Sequence, residues 1–232
     1  MVYIVLYMSL IQNIKSFPAR KQPAKPIILL CGFGGSIWQT KRVTIRLNRA
    51  GYNVTALDFS KKILDTGDPQ LLLQLVVEVM EYVENEAKKT DEKILLIGIS
   101  LGSLLVLNIL RRSERFEIGI GITGGNIVTV AQNIYGQAIW PQSHEELSKL
   151  WEDVNIHTNP KRLTGKRILF VLPMKDKLVD TQEVLTEINL QTAAGNTMKL
   201  VKRHTFGHVG TIIEETIIFP HRLLSYIHHI ES

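Results

Sequence analysis

The 232-residue sequence predicts an α/β fold, a mostly parallel twisted sheet flanked by helices on both faces. Two observations carry that expectation. Six short runs rich in β-branched residues, at 27–31, 53–57, 94–97, 117–122, 167–172 and 198–202, are almost continuously apolar, the pattern of strands buried on both sides. Longer segments with apolar residues at helical spacing lie between them, and strands alternating with helices imply parallel βαβ units. With 45% apolar and 21% charged residues, the chain suits one domain, 1–232, able to bury a core without a disulfide or metal.

The elements follow in chain order. Residues 2–11 (VYIVLYMSLI) are apolar and uncharged, and the first basic residue, Lys15, comes after them. A secretory signal has the opposite order and closes on small residues. An edge strand is therefore expected, with a signal or interfacial anchor as the alternative. A Pro- and Lys-rich connector, 18–26, precedes the first buried strand. Segment 38–50 reads as a helix ending at Gly51, a residue suited to the position after a helix. Segment 69–89 starts behind Asp68, an N-cap type, with Pro69 in the first helical position. Helices are also expected over 101–112, 182–190 and 211–230. Residues 126–165 interrupt the rhythm, with no strand and one short helix, 143–154, opening on a Ser143/Glu146 capping-box pattern. Such an insertion after a strand reads either as a lid over a site or as a packed helical excursion.

Composition excludes several classes of function. No stretch approaches the ~18–20 apolar residues of a membrane-spanning helix, so no stable membrane insertion is expected. Cys31 is the sole cysteine, which excludes an internal disulfide and a multi-cysteine zinc site and suits a cytoplasmic location. The net charge of +5 comes from 27 Lys+Arg against 22 Asp+Glu. The cations fall in short pairs (61–62, 88–89, 111–112, 202–203) without interleaved aromatics, so no nucleic-acid partner is expected. No metal or cofactor is expected either.

The chemistry concentrates in four loops. Gly98-Ile99-Ser100-Leu101-Gly102 lies between a buried strand and a helix. G-x-S-x-G arises by chance in roughly 8% of chains this long, so the placement carries the weight: a nucleophile elbow needs strand, tight turn and helix in that order. A serine needs a base, and the base an orienting acid. His208, in the glycine-bracketed FGHVG (206–210) after the last strand, is assigned the base. His204 directly follows the strand, His144 and His157 fall in the insertion, and His221, His228 and His229 belong to the terminal helix. Asp176, in the turn after strand 167–172, is assigned the acid. Asp180 stands just before the next helix, where capping is its alternative role. The glycine-rich loop 31–36 (CGFGGS) ends the first buried strand and matches no phosphate-binding pattern. In this architecture an oxyanion hole takes one N–H from that loop and one from the residue after the nucleophile, here Phe33 and Leu101. Ile37, Trp38, Tyr135, Ile139, Trp140 and Leu178 are candidates for an apolar substrate pocket.

GFGGS (32–36), GISLGS (98–103), MKDKLVD (174–180) and FGHVG (206–210), in this order, resemble the α/β-hydrolase superfamily from about residue 26 to the end. The resemblance implies a Ser100–Asp176–His208 triad with Phe33 and Leu101 as oxyanion donors, and an amino-terminal segment paired antiparallel at one sheet edge. The GITGGN stretch (121–126) with its short insertion is similar to compact serine esterases and serine-aminopeptidase-like hydrolases. Cys31-Gly32 stands where members often have His-Gly, and residues 58–64 lack the usual glycines of their D-x-x-G-x-G-x-S stretch. The expected activity is hydrolysis of small or medium acyl esters as small-molecule substrates. Thioesterase, aminopeptidase or acyltransferase activity on the same triad is the alternative, and a non-catalytic binding module is the alternative of another class. The sequence assigns no oligomeric state.

Overall fold

The structure, a computed structural model, describes residues 9–20, 24–32, 35, 37, 39–155 and 163–232, with only the backbone of residues 134, 135 and 137. Among the described residues seven strands form one sheet: β1 (Ile11–Phe17), β2 (Lys25–Leu30), β3 (Tyr52–Phe59), β4 (Leu95–Ile99), β5 (Ile118–Ile122), β6 (Arg167–Pro173) and β7 (Thr197–Arg203). Their order is β1-β3-β2-β4-β5-β6-β7. β1 runs antiparallel to β3, and every other neighbouring pair is parallel.

Alternation along each strand divides the core in two. Ile28 and Leu30 of β2 face a cluster with Leu96, Leu104, Phe116 and Phe170. Ile27 and Leu29 face a second cluster with Leu47, Ile97, Ile120 and Ile227. Side chains of a strand point alternately to its two faces, so a strand covered on both sides must be apolar throughout. Helices α1 (Lys41–Arg49) and α9 (Arg222–Glu231) cover the second face. The first face takes α2 (Lys62–Asp65), α3 (Pro69–Ala87), α4 (Leu101–Arg112), α5 (Ile127–Ile139), α6 (His144–Leu150) and α7 (Thr181–Ala193). Asp68 caps α3 by accepting from the Gln70 N–H at 2.9 Å, and Ser143 and Glu146 complete a capping box at α6.

Three expectations need correction. The described edge strand is 11–17, of which only Ile11 falls in the expected 2–11, and residues 2–8 lie outside the described part. An edge strand leaves much of its surface in solvent, and β1 is exposed along most of its length, so its sequence is mixed rather than apolar. The terminal helix expected over 211–230 is three pieces: α8 (His208–Ile213), a π-helical turn (Glu214–Ile218) and α9. Pro220 has no N–H to continue a helix, and the Phe219 N–H instead closes the π turn on Glu214 O at 2.8 Å. The insertion holds α5 as well as α6, with a backbone break at Gly136 (φ 61°).

That insertion is anchored by its tryptophans. Trp140 and Trp151 are fully buried and meet edge to face, with centroids 5.1 Å apart. Their indole N–H groups donate to Leu64 O (3.2 Å) and Pro69 O (3.0 Å), on either side of the α2–α3 junction. A large aromatic truncated in such a place loses its transfer energy and leaves a cavity. Trp140→Ala is expected to cost about 3–5 kcal/mol in denaturant unfolding.

Candidate active site

Ser100 is the N-cap of α4, at φ 52° and ψ −115°. This left-handed conformation costs a non-glycine residue about 1–3 kcal/mol unless its surroundings enforce it. The surroundings are visible. A Cβ at Gly102 would stand 2.1 Å from Leu30 O, and one at Gly98 would stand 2.2 Å from Gly102 O. The first turn of α4 thus rests on the end of β2 with backbone against backbone. The Ser100 N–H donates to Ile122 O at 2.8 Å, and Ser100 O accepts from the Ser103 N–H at 2.8 Å. These contacts hold the serine side chain above the carboxyl end of the sheet.

The structure brings Ser100, His208 and Asp176 together. Ser100 Oγ lies 3.0 Å from His208 Nε2, and His208 Nδ1 lies 2.8 Å from Asp176 Oδ2. An ionised carboxylate only accepts, so Nδ1 donates to it and Nε2 is left with the lone pair that faces the serine hydroxyl. Oδ1 of Asp176 accepts the backbone N–H groups of Leu178 (2.8 Å) and Val179 (3.2 Å). The aspartate side chain is 0% exposed and the histidine 9%; three donors satisfy a charge that would be costly to bury unpaired. Asp180 takes the other role open to it: it caps α7, accepting from the N–H groups of Gln182 (2.8 Å) and Glu183 (3.3 Å). His208 is the first residue of α8 rather than a loop residue ahead of a helix. His204 is exposed.

Leu101 is the first residue of α4, and its N–H is one of the four at a helix start that have no acceptor within the helix. Phe33, the other expected donor, lies outside the described residues. The flanks of its loop are described: Gly35 N–H donates to Gly32 O at 3.0 Å, and Gly32 Cα comes so near the elbow that a Cβ there would meet Ser100 Cβ at 3.2 Å. Asp58, at the end of β3, binds this loop to the sheet. It accepts the Ile37 N–H (3.3 Å) and the Asn13 side-chain amide (2.9 Å). Asp58 opens the 58–64 stretch noted in the sequence, and the signal for its bracing role is a charge near the end of a strand whose last four residues are buried. Cys31, beside the loop, is fully buried, and burial pushes its thiol up to about 12. It packs in the core cluster on the second face of the sheet.

A cleft of about 30 Å³ opens beside Ser100 and His208. Leu64, Leu101, Leu104, Ile127 and Val130 form its apolar walls, with Thr123 and Gly125 at the end of β5. The pocket residues expected from the sequence are placed differently. Trp140 belongs to the core of the insertion, and Ile37 packs in the cluster on the opposite face. Ile139 packs partly buried against the first core, and Leu178 contributes its carbonyl to the Asn133 side chain at 3.2 Å. None of the four lines the cleft. Trp38 and the side chain of Tyr135 lie outside the described residues. Apolar spacing alone could not separate Leu64, Leu104 and Val130, which line the cleft, from core residues. A larger depression, about 440 Å³, sits at the opposite end of the sheet among Lys25, Lys93, Glu117 and Arg167. Ion pairs border it, including Lys93–Glu117 at 2.8 Å, and the Ser100 cleft is elsewhere. Among the described residues no three His, Cys, Asp or Glu side chains are grouped to hold a metal, and no helix is long and apolar enough to cross a membrane.

No family model and no curated protein matches the sequence. Solved structures do match the fold. The chain is 15% identical to the acylaminoacyl peptidase of Pyrococcus horikoshii, with a TM-score of 0.67, covering 94% of this chain and 39% of that one. It is 22% identical to an esterase of Pyrococcus furiosus, with a TM-score of 0.63, covering 90% and 82%. Against Est1E of Butyrivibrio proteoclasticus it is 15% identical, with a TM-score of 0.68, covering 94% and 93%. The chain thus spans about two fifths of the peptidase and most of the other two. It has an α/β-hydrolase-type fold. The elbow contact is directly testable: Gly102→Ala is expected to destabilise the protein by about 3 kcal/mol or more, read as a lowered midpoint in denaturant.

Proposed function

We propose that the protein is a serine hydrolase that transfers an acyl group to water through Ser100, acting on carboxylic esters of small or medium acyl chain. The observation that carries this reading is the unbroken run from Ser100 Oγ to His208 Nε2 and from Nδ1 to Asp176, at 3.0 and 2.8 Å. Ser100 attacks the carbonyl carbon as His208 takes its proton, and Asp176 stabilises the imidazolium. The tetrahedral oxyanion is received by the N–H of Leu101, a preorganised dipole at a helix start, together with that of Phe33. His208 then returns the proton to the leaving alcohol, and water repeats the sequence to release the acid. The narrow apolar cleft supports a short acyl chain. We further assign residues 126–165 as an insertion within one domain, supplying the Ile127 and Val130 wall of the cleft.

Ester hydrolysis is favoured over peptide cleavage by the higher identity to the Pyrococcus furiosus esterase, 22% against 15% for the peptidase. Ser100→Ala is expected to fold normally, to lose labelling by a fluorophosphonate, and to lose hydrolysis of short 4-nitrophenyl esters. Full activity in that variant would remove Ser100 from the mechanism, and an unlabelled wild type would favour a binding module.

The two aspartates should separate cleanly. Asp176→Asn is expected to lower kcat by about 10⁴, because an amide no longer enforces the tautomer that Ser100 needs. Asp180→Ala, which removes only a helix cap, is expected to cost about 1 kcal/mol of stability with kcat within twofold of wild type. Steady-state kinetics and denaturant unfolding on the pair check both.

A further inference from the structure

Thr123 follows β5 directly, and its backbone is as unusual as that of the serine. The register pairs Ile99 with Ile122, so Ser100 and Thr123 are the next residues outward on neighbouring strands, about 4.8 Å apart by strand spacing. Among the described residues they are the two non-glycines with positive φ, 52° and 57°. For a β-branched residue this conformation is a genuine outlier. It is locked from both sides: the Thr123 N–H donates to Val171 O at 2.9 Å, and a Cβ on Gly125 would collide with Val179 at 2.4 Å. Val179 is itself a donor to Asp176, so the turn carrying Thr123 rests on the loop carrying the acid.

The side chain adds a second anomaly. Thr123 is 1% exposed, and its Oγ1 has no hydrogen-bond partner among the described residues. It lines the cleft beside Ser100, whose side walls are aliphatic. A buried hydroxyl without a partner is unfavourable, and most such groups in proteins are paired. In the free protein glycine would relieve the backbone and valine would remove the orphaned hydroxyl.

We propose that Thr123 determines acyl specificity: its hydroxyl bonds a hydroxyl group on the second or third carbon of the acyl chain, so the site selects hydroxyacyl esters. This inference rests on the serine-hydrolase reading above. An acyl group attached to Ser100 Oγ places its second and third carbons within reach of a side chain one strand away. A site that hydrogen-bonds a substrate hydroxyl discriminates strongly against the analogue lacking it, because its own polar group is then left unpaired.

The test compares ethyl propionate with ethyl lactate, and ethyl butyrate with ethyl 3-hydroxybutyrate, by pH-stat titration of the released acid. Wild type is expected to favour the hydroxy ester of at least one pair by about tenfold or more in kcat/KM. Thr123→Val, which keeps the branched shape, should erase that preference by lowering kcat/KM for the hydroxy ester more than for its plain partner, and Thr123→Ser should retain it. The Tm of Thr123→Val should equal or exceed that of wild type, since no internal bond is lost. A wild type without preference in either pair or without turnover of all four esters, a preference that survives Thr123→Val, an equal loss on both esters, or a lowered Tm would each overturn the proposal. Fluorophosphonate labelling separates the two levels: labelled Ser100 with any of those results removes only this inference, and unlabelled Ser100 removes the hydrolase reading with it.

Discussion

The site depends on one approach of backbone to backbone. The first turn of α4 sits so close to the end of β2 and to the end of β4 that Gly102 and Gly98, respectively, have no space for a single methyl group. That closeness forces the chain at Ser100 through a left-handed turn and lifts its side chain clear of the sheet. The other parts are placed around this point by successive strands. β2 leads into the glycine-rich loop, β3 braces that loop with Asp58, β5 delivers Thr123, and β6 and β7 lead to Asp176 and His208. Parallel strands make this possible, because all their carboxyl ends open on one edge of the sheet.

Much of this arrangement is legible in the sequence, for identifiable reasons. Strands covered on both faces must be apolar at every position, so β2, β4, β5 and β6 announce themselves as short continuous runs. Ser100 is legible because steric exclusion at two glycines is written into the motif. Asp176 and Asp180 are harder to separate, since both follow β6 and each suits a polar turn. What distinguishes them is geometry across the sheet: one reaches His208 and the other the first N–H groups of α7. The cleft walls are not legible at all. Leu64, Leu104 and Val130 have the spacing of core residues, and only the path of α2, α4 and α5 brings them beside Ser100. Trp140 shows the converse, an aromatic of the insertion that tertiary packing takes into the core.

The carboxyl-terminal region shows how charge can set a helix path. Glu214 and Glu215 are buried in the π turn. Arg203 at the end of β7 bonds Glu215 at 2.6 Å, and Arg222 at the start of α9 bonds Glu214. The Tyr226 hydroxyl donates to Glu215 at 2.9 Å and is also bonded to Arg203; burial, followed by the neighbouring Glu215 charge, pushes this phenol well above its ordinary value. Two buried carboxylates thus acquire partners from the strand before them and the helix after them. The nearly continuous apolar spacing of 211–230 hides this break, although Ile213, Ile218 and Phe219 are exposed and Leu223, Ile227 and Ile230 are buried. The cluster fixes the end of α8, and His208 is the first residue of that helix.

The span of 108 residues between serine and histidine has a consequence for the chain as it folds. The two meet only when β7 has joined the sheet, at the opposite end of its strand order from β1. An unassisted hydroxyl is a weak nucleophile, so on the proposed reading a chain whose sheet is incomplete holds the serine without its base. On that reading reactivity reports the completed fold.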